Sequence, residues 1–245
     1  MKKCNNEQKS HQEKKPPKDL KGMSTFYGIN LDDEQIIFRD AIWDRKNIAV
    51  LCNAKAGTGK TTIALGVANL MYQYKMVDGI VYFMSPVQEG TLGFMPGDVN
   101  DKTKYYMQPL YDACEQLNIN PNTAIVTDIE TQKKLNQKPY ITCATDTFVR
   151  GCNFKNKAVI IDEAQNFHFD NLKKTLTRLH DDCKAIIIGH TGQCDMRNND
   201  NGFAKYIEAF RESGVDWYQI CELKNNHRGK FSTFVDSVCD SNYFN

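Results

Sequence analysis

Ile48-Ala49-Val50-Leu51-Cys52-Asn53-Ala54-Lys55-Ala56-Gly57-Thr58-Gly59-Lys60-Thr61 opens as an apolar run and closes as a glycine-rich loop ending in Lys-Thr. Thr62-Ile63-Ala64-Leu65-Gly66-Val67-Ala68-Asn69-Leu70-Met71 follows, with apolar residues at helical spacing. Strand, glycine-rich loop and helix in that order are the context that turns a short motif into a phosphate site. Successive backbone N–H groups of such a loop point inward at the positive end of the helix and form a nest for a β-phosphate. Gly57 and Gly59 allow backbone angles and a close approach that a side chain would block. Lys60 supplies a mobile cation for the β- and γ-phosphates, and Thr61 Oγ a ligand for magnesium. The residues expected around the bound phosphates are therefore Ala54, Lys55, Ala56, Gly57, Thr58, Gly59, Lys60, Thr61 and Thr62. Ala54 stands where the usual pattern begins with glycine, which fits if that residue is still completing the strand.

A second stretch, Ala158-Val159-Ile160-Ile161-Asp162-Glu163-Ala164-Gln165, describes a central parallel strand whose carboxyl end emerges beside the nucleotide. Asp162 is expected to hold Mg2+, most often through water, because magnesium keeps several of its waters. Glu163 is placed to orient and polarise the attacking water. The triphosphate is thus expected between the ends of two neighbouring strands, with Lys60 on one side and magnesium near Asp162 on the other. Lys184-Ala185-Ile186-Ile187-Ile188-Gly189 reads as another buried strand, and Gln193 lies near its tip, next to the Asp-Glu strand, where an amide would sense the γ-phosphate. Arg228 precedes an amphipathic helix carrying Phe231, Phe234, Val235 and Val238. It is a candidate arginine finger, since a guanidinium grips a phosphoryl oxygen in forked geometry. Gln35 has two readings, an amide that matches adenine's donor and acceptor or an exposed helix glutamine.

With 245 residues and 41% hydrophobic content the chain has enough material for one large domain or two small ones. The net charge of +1 announces no polyanionic partner through a global field. Nine cysteines are scattered without a Cys-x-x-Cys pair, and Cys52, Cys143, Cys183 and Cys221 lie in apolar runs as small core residues. That usage suits reduced thiols in the cytoplasm rather than disulfides or zinc. The histidines at 168, 180, 190 and 227 show no metal-ligand spacing. No stretch approaches the roughly 20 apolar residues that cross a bilayer, so no membrane partner is expected.

Residues 1–22 are rich in lysine, with Pro16-Pro17 blocking helix propagation, and read as a basic disordered leader or as an arm that tethers nucleic acid. Residues 23–245 are expected to form a single domain, with folded structure beginning near Phe26. Acidic residues open a helix at Asp32-Asp33-Glu34, with Ile36, Ile37 and Ile42 on one face. Gly79-Ile80-Val81-Tyr82-Phe83-Met84 and Tyr140-Ile141-Thr142-Cys143-Ala144 read as strands, with Ala124-Ile125-Val126 a shorter one. Residues 102–117 read as a helix that Pro109 must kink or split. Lys102, Lys104, Tyr105 and Tyr106 set cations beside aromatic rings, as a single-stranded nucleic-acid groove or an ordinary amphipathic helix would. A further helix is expected over residues 169–180. Arg150 reads as a phosphate contact or a surface arginine.

Ser85-Pro86, the run Leu92-Gly93-Phe94-Met95-Pro96-Gly97-Asp98, and Gln108-Pro109-Leu110-Tyr111-Asp112-Ala113 together resemble the PhoH-like family of phosphate-starvation-inducible ATPases. So do Phe148-Val149-Arg150-Gly151, Ile160-Ile161-Asp162-Glu163-Ala164-Gln165-Asn166 and Leu176-Thr177-Arg178, the match spanning residues 35–235. The resemblance implies a RecA-like P-loop core similar to the first domain of superfamily-one helicases, a three-layer α/β/α arrangement around a mostly parallel sheet. In that pattern Gln35 resembles the adenine-reading glutamine, Gln193 the glutamine of the third motif and Arg228 the arginine that approaches the γ-phosphate. It also implies an ATPase acting on RNA or single-stranded DNA. Because one such core cannot close a two-domain clamp on itself, a homo-oligomeric ring, with a hexamer among the sizes, is expected. His190 replaces the family's aspartate and Ser85 its usual arginine, departures that bear on coupling more than on ATP binding.

Overall fold

The computed structural model describes residues 15–23, 25–84, 107–126, 138–145, 152–192 and 201–240. The apolar runs become strands β1 (Ala49–Ala54), β2 (Ile80–Met84), β3 (Ile141–Thr145), β4 (Ala158–Ile161), β5 (Lys184–Gly189) and β6 (Tyr218–Leu223). They form one sheet in the order β3-β2-β4-β5-β1-β6, and every pairing is parallel. Parallel strands need crossovers, and the crossing helices cover both faces, which is why the strands read as continuous apolar runs rather than alternating ones.

The pleat divides each strand between two cores. Val50, Cys52, Ile80, Tyr82, Ile160, Ile186 and Ile188 share one with Phe38 and Ile42 of α1 (Asp33–Trp43), Ile63 and Val67 of α2 (Lys60–Gln73) and Leu110 of α3 (Gln108–Gln116). The alternate residues Leu51, Val81, Phe83, Val159, Ile161 and Ile187 meet Leu172 of α4 (Phe169–Leu176) with Phe203 and Ile207 of α5 (Gly202–Ser213). This is the expected three-layer α/β/α fold. Full burial of one Ile, Leu or Phe is worth about 1.5–3 kcal/mol, so covering both faces is what fixes the sheet's ends in space.

Several local expectations are corrected. Leu20 is buried in the first core and Trp43 Nε1 donates to the Pro17 carbonyl at 3.2 Å, so packed chain starts before Phe26. In α1 the buried face is Gln35, Phe38, Arg39, Ala41, Ile42 and Trp43, whereas Ile37 is 54% exposed, because the helical repeat places residue 37 away from 35, 38 and 42. Pro109 neither kinks nor splits its helix: it stands in the first turn of α3, where a missing N–H has no partner to lose. Ala124 ends a single helical turn (Pro121–Ala124), and only Ile125 bridges to Ile141. The helix expected through residue 180 stops at Leu176, and Leu179 bridges to Phe154. In α6 (Lys230–Asp240), Phe231, Phe234 and Val235 are 82%, 65% and 45% exposed, so these three residues of the apolar stripe lie outside both cores.

β1 and β4, expected as neighbours, are separated by β5. The two ends still converge, because the amino end of α2, which follows the loop after β1, reaches the acids after β4. Among the described residues no helix is long and apolar enough to cross a membrane.

Candidate active site

Ala54 completes β1, fully buried opposite Leu223 of β6, so no glycine is needed there. The loop then turns through Gly57 (φ 75°) and Gly59 (φ 78°), both left-handed. Gly59 is the N-cap of α2, and no side chain caps it. The first helical bond runs from Ile63 N–H to the Gly59 carbonyl. The N–H groups before it lie outside the helical ladder, at the positive end of the dipole. Thr58 is buried and returns its hydroxyl to the Lys55 carbonyl at 3.0 Å, which closes the loop on itself. Thr62, in contrast, donates its hydroxyl to Gln116 of α3 at 2.7 Å.

Across the loop stand the two acids that follow β4. Thr61 Oγ1 donates to Asp162 Oδ2 at 2.8 Å, and Lys60 Nζ pairs with Glu163 Oε1 at 3.1 Å. Asp162 is buried; Tyr82 OH also donates to its Oδ2 at 2.5 Å, and the Glu163 N–H donates to its Oδ1 at 2.8 Å. Burial, reinforced by the Glu163 charge, pushes the Asp162 carboxyl above its ordinary range, against the pull of Lys60 and the two hydroxyls. Burial alone would raise Glu163 as well, but Lys60, the Gln165 amide and the charge of Arg228 outweigh it and hold Glu163 below its ordinary value. Glu163 sits at φ 48°, ψ 43°, a left-handed conformation that costs a non-glycine residue on the order of 1 kcal/mol. That strain falls on the residue whose carboxylate pairs with Lys60.

Gln165 Nε2 donates to Glu163 Oε2 at 2.6 Å, while its Oε1 accepts from the His190 N–H at 3.0 Å. Beyond β5, the Thr191 N–H donates to Asn53 Oδ1 of β1 at 3.0 Å, and Asn201 Nδ2 to the Thr191 carbonyl at 3.1 Å. The three strand ends are thus tied into one polar net. Gln193 lies outside the described residues, as do Ser85, the loop 89–98, residues 102–106 and Arg150.

The segment after β6 lies on the loop from the other side. His227 N–H donates to the Gly57 carbonyl at 2.8 Å, and a Cβ at Gly57 would sit 2.8 Å from Asn226 Oδ1 and 3.0 Å from Arg228 Cδ. Arg228 is therefore delivered to the loop of its own chain. Gln35, expected to face adenine, is buried and engaged at both ends: Oε1 accepts from the Asp32 N–H at 3.1 Å and Nε2 donates to the Thr58 carbonyl at 2.9 Å. It closes a capping box on α1 and braces the phosphate loop. Asp32 also accepts from Asn225 Nδ2 at 3.0 Å and contacts His227 Nε2 at 3.1 Å, fastening the 224–228 segment to α1.

Tyr82, Asn53, Gln165 and Asn226 are the site residues that the sequence reading did not single out. Their only signal was a polar group inside or just after an apolar strand. Among the described residues no cluster of three or more His, Cys, Asp or Glu would hold a metal by itself. A single aspartate and a threonine hydroxyl are nevertheless a hard-oxygen pair of the kind magnesium takes alongside phosphate oxygens. The buried Asp162, raised by Glu163 beside it, is a carboxylate that a cation would relieve.

The family model for PhoH-like protein matches residues 30–231. The chain belongs to the PhoH-like protein family. It is 32% identical to the PhoH-like protein of Bacillus subtilis (strain 168) over 73% of this chain and 53% of that one. It is 31% identical to Protein PhoH of Escherichia coli (strain K12) over 66% and 45%, and 33% identical to the PhoH-like protein of Mycobacterium leprae (strain TN) over 61% and 41%. The chain thus spans about half, or less, of the length of these curated PhoH-like relatives. Among solved structures, the Sulfolobus solfataricus SWI2/SNF2 ATPase core in complex with dsDNA is similar over 81% of this chain and 46% of that one, with 15% identity and a TM-score of 0.45.

Proposed function

We propose that this chain binds ATP with Mg2+ at the loop–Asp162 cluster and hydrolyses it. The observation that carries this reading is the pair of contacts Thr61–Asp162 and Lys60–Glu163, which join the amino end of α2 to the acids after β4. The nest formed by residues 57–62 would hold the β-phosphate, and Thr61 with Asp162 would hold the cation. When bound, magnesium supplies charge neutralisation on the phosphoryl oxygens. Lys60 now spends its charge on Glu163 Oε1. Turning Lys60 to the γ-phosphate frees that oxygen and removes the main charge that holds the Glu163 carboxyl low, so the carboxylate becomes the stronger acceptor for a proton of the attacking water. Gln165 keeps the other oxygen fixed meanwhile. Arg228, already against Gly57, is poised to stabilise charge on the transferring group.

Coupling of this turnover to RNA or single-stranded DNA, assembly into a homo-oligomeric ring and residence in the cytoplasm belong to the same proposal. The family resemblance supports the first, the inability of one core to close a clamp on itself the second, and the scattered cysteines without a Cys-x-x-Cys pair the third. The test is the ATPase rate of the whole chain with and without single-stranded RNA or DNA, beside Glu163→Gln. The expected result is magnesium-dependent turnover stimulated by one nucleic acid and lowered about 10²- to 10⁴-fold in Glu163→Gln. Tight ATP binding with no turnover in the native chain would contradict the enzyme and point to a nucleotide-switched binding module.

A further inference from the structure

Tyr82 reaches Asp162 from the neighbouring strand, and the phosphate-loop pattern does not call for it. β2 and β4 pair with Tyr82 opposite Ile160, two residues short of Asp162, so the phenol extends along the sheet toward its carboxyl end. Its hydroxyl meets Asp162 Oδ2 at 2.5 Å, and both residues are shut off from water, at 1% and 2% exposure. Thr61 donates to the same oxygen and the Glu163 N–H to the other. A carboxylate's terminal torsion is broad and poorly fixed by rotamer preference, so the direction of Asp162 is set by these three donors. Two of them belong to elements that a nucleotide would engage: Thr61 stands in the first turn of α2, and Glu163 in the strained turn after β4. Tyr82 alone comes from inside the sheet.

We propose that Tyr82 is a positioning residue for the divalent-cation site, its hydroxyl holding the Asp162 carboxylate against Thr61 before any nucleotide arrives. The inference rests on the reading of Lys60, Thr61 and Asp162 as a magnesium–nucleotide site. Thr61 can donate its proton to Asp162 and still offer a lone pair to a cation; Asp162 stays aimed only while Tyr82 keeps its grip. In a site of low dielectric, loss of one such donor leaves a buried carboxylate short of a partner. Groups that orient metal ligands typically contribute 10- to 100-fold in metal affinity.

The experiment is Tyr82→Phe in the full chain, read by binding of a fluorescent ATP analogue across a Mg2+ titration and by Mn2+ binding followed by electron paramagnetic resonance. The expected result is a cation requirement for half-maximal nucleotide binding raised about tenfold or more, with weaker Mn2+ binding and unchanged affinity for nucleotide in the absence of cation. Tyr82→Met, which keeps the strand apolar, gives the same reading should Tyr82→Phe fail to fold. Titration curves that superimpose on those of the native chain overturn the role of Tyr82 and leave the nucleotide site standing. A native chain with no affinity for ATP at any Mg2+ concentration overturns the site itself, and this inference with it.

Discussion

Two shielded ammonium groups occupy opposite ends of the same sheet. Lys60, at the carboxyl end, has a side chain 13% exposed and is paired with Glu163, itself a side chain with 45% exposure. Lys184, at the amino end of β5, is buried beside a cavity of about 500 Å³ lined also by Arg45, Tyr74, Lys75 and Asp182. Its Nζ donates to the backbone carbonyls of Asp44, at 2.8 Å, and Asn47. The first cation is held by a partly exposed carboxylate, which under the proposed function it exchanges for a phosphate. The second is held by fixed backbone oxygens and has nowhere to go. Lys60 lies at the carboxyl ends of the strands, the side on which open parallel sheets bind their ligands, and Lys184 at the amino ends.

The sharpest way to break this contrast is to remove each ammonium. Lys60→Ala should weaken ATP binding about tenfold to hundredfold, the worth of a charge-assisted hydrogen bond, with little change in melting temperature. Lys184→Met should leave ATP affinity unchanged. Calorimetric titration of both variants checks this, and an equal loss of affinity in Lys184→Met would dissolve the distinction.

A smaller effect lies in the pH dependence of stability. Burial, opposed in part by Asp44, lowers Lys184 from 10.5 to about 8. Between these values the unfolded chain holds a proton that the folded chain has released, so folding stability gains with rising pH across that window. The full shift corresponds to roughly 3 kcal/mol. Denaturant unfolding at pH 8 and pH 10 should therefore show the native chain gaining stability relative to Lys184→Met; parallel curves would show that the ammonium is not desolvated.

The sheet was readable because strands buried on both faces leave continuous apolar runs, and residues 54–61 because phosphate chemistry demands small residues and a Lys-Thr pair at fixed spacing. Order across the sheet was not. Nothing in a run such as Ala158–Ile161 says which strand lies beside it, and so β1 and β4 were expected as neighbours although β5 intervenes. For the same reason Tyr82 was invisible as a site residue: its contact with Asp162 exists only in the register that sets Tyr82 against Ile160. Gln35 was found as a residue of interest near the loop, yet its amide is committed to the α1 cap and Thr58, a competition that local hydrogen bonding decides. The apolar spacing of α6 announced a helix correctly but not that Phe231 would stay exposed.

Everything rests on one triphosphate being shared by Lys60 and the acids after β4. A crystal structure of the chain with Mg2+ and a non-hydrolysable ATP analogue measures this. The expected result is Lys60 Nζ moved from Glu163 onto the β- and γ-phosphates, with Mg2+ between Thr61 Oγ1 and Asp162. An analogue bound elsewhere on the chain, with the Lys60–Glu163 pair intact, would contradict the account.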